Sequence, residues 1–161
     1  MAFQTEVRAD LALGRPGEFY DATIRRSTAY KFDTMDSAKP AIGKVFTFDG
    51  SGSPVLGGDG PFAGILIHPN AYARPGLDPT LALPSGSIAE LADAGRLIVT
   101  TTAAATIGAK VQYDTATGDI AGAAPETPGA GMAGIPGATF ILFDAEANGL
   151  AVVQLNPISK E

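Results

Sequence analysis

The sequence predicts an all-β protein: a β-sandwich or jelly-roll-like barrel of short antiparallel strands, with an extended N-terminal arm and at most one short helix. Three observations lead there. Short stretches rich in β-branched and aromatic residues recur along the chain. The 20 Gly and 12 Pro are spread through it rather than gathered in one tract, a punctuation that suits many strands and tight turns. Asn148-Gly149 and Thr117-Gly118 stand between such stretches, where a chain reversal needs residues tolerant of positive φ.

Residues 1–20 hold Pro16 and Gly17 without a sustained period and read as an arm carrying Phe3, Val7, Leu11, Leu13, Phe19 and Tyr20. Residues 21–161 read as a single β domain. Within it, 22–32 alternates in its second half, with Thr28, Tyr30 and Phe32 on one face. A turn over 33–39 closes at Pro40. Residues 42–48 form a second strand, 50–60 a loop, and 62–67 (Phe-Ala-Gly-Ile-Leu-Ile) a strand buried on both faces. Residues 71–79 are irregular, and Leu81–Leu83 reads as a short strand. Ser87-Ile-Ala-Glu90 has the form of a capping box with Gly95 as its stop, framing the one short helix. A strand over 97–101 follows, then a hairpin over 111–120, a Gly/Pro-rich loop over 122–137, and a closing strand pair at 139–143 and 150–155.

At 161 residues the chain has the size of one domain, large enough to bury about 70% of the surface its unfolded form exposes. Charged residues make up 17%, against a usual value of about 25%, so much of the surface is expected to face other protein. A net charge of −6 argues against nucleic acid, which needs clustered cations. Arg25-Arg26, the one basic doublet, reads as a salt-bridge partner for a neighbouring strand or chain. With no cysteine, disulfides, thiolate zinc sites and Cys nucleophiles are excluded. No apolar stretch of the length a membrane span needs is free of Gly, Pro and charge. The N-terminus lacks the apolar core of a signal peptide, so synthesis and residence in the cytosol are expected.

The chemistry-bearing patterns are sparse. Gly129-Ala-Gly131-Met-Ala-Gly134 has the form of a dinucleotide fingerprint, but Pro128 precedes it and Ile135-Pro136-Gly137 follows, so neither the strand nor the helix that fingerprint needs is in place. His68, the one histidine, stands before Pro69 and reads as a turn residue; alone it cannot build a multi-His metal site. Asp114 and Asp119, on opposite arms of the expected hairpin, are the one candidate carboxylate pair for a small hydrolase, and turn formation explains them more simply. No catalytic residue, cofactor or metal ligand is assigned.

The order of the pieces resembles a known family. Arg15-Pro-Gly-Glu-Phe-Tyr-Asp-Ala-Thr-Ile-Arg-Arg-Ser27 is similar to the N-terminal arm of tailed-bacteriophage structural cement (capsid decoration) proteins. Gly43–Asp49 and Phe62–Ile67 look like the paired core strands of that family, with an insertion between them. Gly108–Asp114 with Thr117-Gly118, Pro136–Phe140 and Leu150–Leu155 resemble its closing half. The resemblance implies a virion protein, made in the host cytoplasm, that binds the outer surface of the major capsid protein lattice and lays its arm over that protein or an adjacent copy. Phe3, Val7, Phe19, Tyr20, Arg25 and Arg26 are then the candidates for contacts with the capsid or another subunit. A homotrimer is favoured and a dimer stays open; neither nucleic acid nor membrane is a partner. The rival readings are another virion β-module, such as a tail component or a receptor- or glycan-binding domain, and the Asp114/Asp119 hydrolase.

Overall fold

The computed structural model describes residues 13–22, 24–32, 41–68, 85–122 and 128–155. The turn expected over 33–40, the irregular stretch at 71–79 and the strand at Leu81–Leu83 lie outside them. Among the described residues there are nine strands and no helix: β1 Arg26–Lys31, β2 Val45–Phe48, β3 Pro54–Leu56, β4 Phe62–Leu66, β5 Ile88–Thr100, β6 Lys110–Asp114, β7 Ile120–Ala121, β8 Met132–Ile141 and β9 Leu150–Leu155. They form one curled, half-barrel antiparallel sheet in the order β3-β2-β4-β5-β9-β8-β6-β7, with β1 added on β5. The all-β expectation holds.

The helix expected over 87–95 does not form; those residues open the longest strand. A helix of barely two turns has little stability of its own, whereas the extended form gains backbone partners on both sides. Leu91 and Ala92 pair with Thr28 and Ser27 of β1 and also with Leu66 and Ile65 of β4. Glu90, the supposed capping-box acid, instead accepts a 2.7 Å hydrogen bond from the Ser27 hydroxyl across the sheet. Beyond Gly95 the same strand pairs with β9, from Gly95↔Leu155 to Thr100↔Leu150.

Two expected loops also contain strands. Within 50–60, Pro54–Leu56 folds back on β2 because the Asp49 carboxylate gathers the Ser51 and Ser53 amides (2.8 and 2.9 Å) and the Ser51 hydroxyl, pinning a tight turn. Pro54 opens an edge strand, where a missing N–H is tolerated. Within 122–137, β8 begins at Met132. Its pairing with β6 jumps from Gln112↔Gly134 to Lys110↔Thr139, so Pro136 and Gly137 sit in a bulge that needs no ladder bond, while Ile135 and Ala138 turn into the core. The 111–120 hairpin and the β8–β9 pair form as expected. Asn148 adopts φ 61°, closing the turn in which the Gly149 amide donates to the Glu146 carbonyl.

Two apolar clusters hold the sheet. The larger takes one face of nearly every strand, with Val45, Ile65, Leu97, Val111, Phe140 and Val153 at its centre. The smaller covers the other face of β2, β4 and the first half of β5 with Phe32, Phe46, Leu66 and Leu91; Phe32 and Phe46 meet edge to face at 5.2 Å. The two ends of the sheet are then tied together. The Val45 amide donates to the Gly118 carbonyl (2.9 Å) and the Gly58 amide to the Thr115 carbonyl (2.7 Å). Tyr113 Oη donates to the Gly58 carbonyl (3.0 Å), and Lys44 Nζ lies 3.0 Å from Asp119 Oδ1.

This seam generates two predictions. Gly118 has φ +71°, and an added Cβ would fall 2.7 Å from the Val45 carbonyl oxygen and 2.9 Å from Leu56. Gly118→Ala should therefore cost about 1–3 kcal/mol, read as a lower urea midpoint by circular dichroism; an unchanged midpoint would show that the seam carries no stability. Burial, assisted by the Asp59 carboxylate, raises the Tyr113 phenol above its ordinary value. The folded state thus favours the protonated form, a contribution fully present below the unfolded tyrosine pKa of about 10 and lost as pH rises through the higher folded value. Tyr113→Phe should flatten the alkaline limb of the stability profile, measured as melting temperature against pH.

Candidate interaction surface

The segment 13–22 reaches the body by adding residues 17–20 to the second half of β5. The Gly17 and Tyr20 amides donate to the Ile98 and Arg96 carbonyls (both 2.8 Å), and the Ile98 amide returns a bond to the Glu18 carbonyl (2.9 Å). Phe19 bridges to Leu97 and packs half-buried against the larger core. The chain then passes over Gly95, whose missing Cβ would lie 2.9 Å from the Phe19 ring and 3.0 Å from the Ile24 carbonyl oxygen. Asp21 fixes the crossing by a 2.8 Å ion pair with Arg96.

Of the six candidate contact residues, Phe3 and Val7 lie outside the described residues. The structure brings Phe19 and Arg25 together, the Arg25 guanidinium standing 5.8 Å from the ring centroid, a cation–π distance. Tyr20 is exposed beside them, and Ile24 projects further, 75% exposed. Arg26 forms a two-pronged pair with Asp93 of β5, both bonds 2.7 Å. The Arg26–Asp93 bridge is the neighbouring-strand partner expected for the doublet.

The chemistry-bearing patterns find structural work. Asp114 Oδ1 accepts from the Ala116 amide at 2.7 Å and so holds its own turn, while Asp119 is engaged by Lys44 in the seam. Gly129–Gly131 forms a turn whose Gly131 carbonyl accepts from the Thr115 amide, and strand β8 rather than a helix follows. The His68 amide donates to the Gly17 carbonyl, clipping the 13–20 segment to the end of β4; the buried His68 Nδ1 has no hydrogen-bond partner among the described residues. Among the described residues no group of three or more His, Asp or Glu side chains could hold a metal ion, and no helix is long and apolar enough to cross a membrane. An open hollow of about 460 Å³ lies beside the β2–β3 turn between Phe48, Asp49, Val55, Asp59 and Pro61, and neither Asp114 nor Asp119 lines it.

A second surface was not read from sequence. The β5–β6 connection (101–109) and the β8–β9 connection (142–149) are laced together. Ala105 and Ala145 exchange amide-to-carbonyl bonds of 2.9 and 2.8 Å, the Ile107 amide donates to Asp144 Oδ1 (2.8 Å), and the Gly108 amide donates to the Phe140 carbonyl (2.8 Å). Ile107, Leu142 and Phe143 stand on the resulting pad, 57%, 46% and 36% exposed. Apolar residues at loop tips were the available signal, but only the cross-loop pairing makes them neighbours.

No curated protein matches the sequence. A chain from the solved structure "The capsid of Myoviridae Phage XM1" has the same fold: TM-score 0.67 at 19% identity, covering 98% of this chain and 99% of that one. The family model described as structural cement protein (E217 gp24/Pam3 gp6) matches residues 3–156. With nearly the whole chain matched by that model, and the fold shared end to end with a chain of a phage capsid structure, the protein belongs to the phage structural cement family.

Proposed function

We propose that this cement protein binds the outer surface of the major capsid protein lattice, as a homotrimer seated across capsomer seams, with its N-terminal residues reaching the shell or an adjacent copy. The family match over residues 3–156 carries the reading. The physical chemistry agrees with it. A clamp works by contact area, and a standard interface removes about 1,600 Å² from water. Many identical copies on a lattice turn modest contacts into firm attachment. A body whose charged side chains are used in internal pairs, as Arg26, Lys44 and Arg96 are, leaves uncharged surface for such contacts. The absence of cysteine suits assembly in a reducing host cytoplasm.

Purified protein should co-sediment with capsid shells stripped of it and raise their melting temperature; shells left unbound and unprotected would reject the reading. Because residues 13–20 lie along β5 and Phe19 enters the core, the arm is tested by removing residues 1–12, which hold Phe3 and Val7. That truncation should leave the melting temperature of the free protein within about 2 °C while weakening shell binding at least tenfold. Equal decoration by the truncated protein would remove Phe3 and Val7 from the contact.

A further inference from the structure

The pad formed by the 101–109 and 142–149 connections has three properties that the fold itself does not require. It gathers three of the six large hydrophobic side chains exposed among the described residues. It is rigid, because each loop completes the backbone bonding of the other: besides the Ala105–Ala145 pair, the Asn148 amide donates to the Thr101 carbonyl (2.7 Å) and the Thr101 amide to the Gly149 carbonyl (3.1 Å). It also contains strain. Leu142 has φ 76°, and the Phe143 amide donates to the Ile141 carbonyl at 3.0 Å, which together make a γ-turn of the positive-φ kind. Such turns are rare and unfavourable for a residue bearing a Cβ, yet the residue held there is an exposed leucine where glycine would remove the strain. Strain kept at an exposed apolar position points to a contact made elsewhere.

We infer that this pad is a foot by which the protein docks on the capsid shell, seated in an apolar hollow of the shell protein bordered by Lys or Arg. The choice of occupant rests on the proposed function and on charge. Asp144 and Glu146 are the only charged residues in the two connections. A symmetric pairing of two pads would set four carboxylates around one small apolar contact, which like-charge repulsion opposes. Lys110, the first residue of β6, pairs in register with Thr139 and stands outside both loops. Three partly exposed side chains are also far short of the roughly 800 Å² that each partner contributes to a standard interface, so the pad serves as one foot among several on a lattice. Rigidity limits the ordering cost of docking it.

The test uses the full chain and shells lacking the cement protein. Ile107→Ser with Phe143→Ser should leave circular dichroism and melting temperature near those of the wild type and reduce shell affinity at least tenfold. Leu142→Gly should raise the melting temperature yet weaken shell binding. Glu146→Lys should weaken binding, with the wild-type advantage shrinking as salt is added. If the wild type binds and the Ile107/Phe143 variant binds equally, the foot is rejected while the cement function stands; if the wild type does not bind, the function reading fails first. A lowered melting temperature in Leu142→Gly would assign that side chain to the fold and overturn the strain argument. Unchanged or stronger binding by Glu146→Lys would overturn the basic border. A free-protein mass by light scattering that falls in the Ile107/Phe143 variant would place the pad between copies of this chain instead.

Discussion

The sheet depends on one strand doing two jobs. β5 runs for 13 residues, and its first half is flanked by β1 and β4 while its second half pairs with β9. Everything N-terminal to it in the sheet, and everything C-terminal, meets along this spine. Gly95 marks the change of partners with φ +124°, and the 19–24 segment can cross the strand there only because no side chain stands in its way. A Cβ at that point would separate the arm segment from the core to which Phe19 contributes.

The spine leaves the far ends of the sheet, β2–β3 and β6–β7, to find each other. They meet through backbone bonds and Tyr113 rather than by continuing a ladder, which is why glycine carbonyls and amides dominate the seam. The larger core is sealed where the sheet's own hydrogen bonding would otherwise run out. The buried Thr47 hydroxyl in this region donates to the Gly57 carbonyl at 2.6 Å. Curling of this kind gives backbone groups such as the Val45 amide and the Gly118 carbonyl partners that the ladder does not supply.

Held this way, the body presents loops that are fixed by mutual backbone bonding. Loops ordered in this way lose little conformational freedom in any contact they make. The ionic groups follow the same logic. Arg26 with Asp93, Arg96 with Asp21 and Lys44 with Asp119 each tie segments distant in sequence, and the apolar side chains of the pad and of the 20–24 segment are left outward.

Much of this was legible in the residues. The apolar runs at 62–67 and 150–155, the Thr117-Gly118 reversal and the positive φ of Asn148 follow from local chemistry: side-chain alternation, β-branching and turn residues act over a few positions. The stretch at 87–95 was misread because Ala, Leu and Glu suit a helix locally; only the β1 and β4 backbones, brought from far along the chain, decide that it is extended. The same holds for Pro54–Leu56 and Met132–Gly137, whose Gly and Pro content reads as loop until a hairpin partner and a bulge give each residue a place. The sequence by itself determined a β-rich body lacking cysteine and lacking the flanks that a phosphate-binding motif needs, because composition and short-range spacing settle those questions. The tertiary structure alone decided that Ile88–Thr100 is the spine, that the sheet closes on Gly118 and Tyr113, and that Ile107, Leu142 and Phe143 form one surface. Each of these depends on pairing between segments tens of residues apart, which no local pattern encodes.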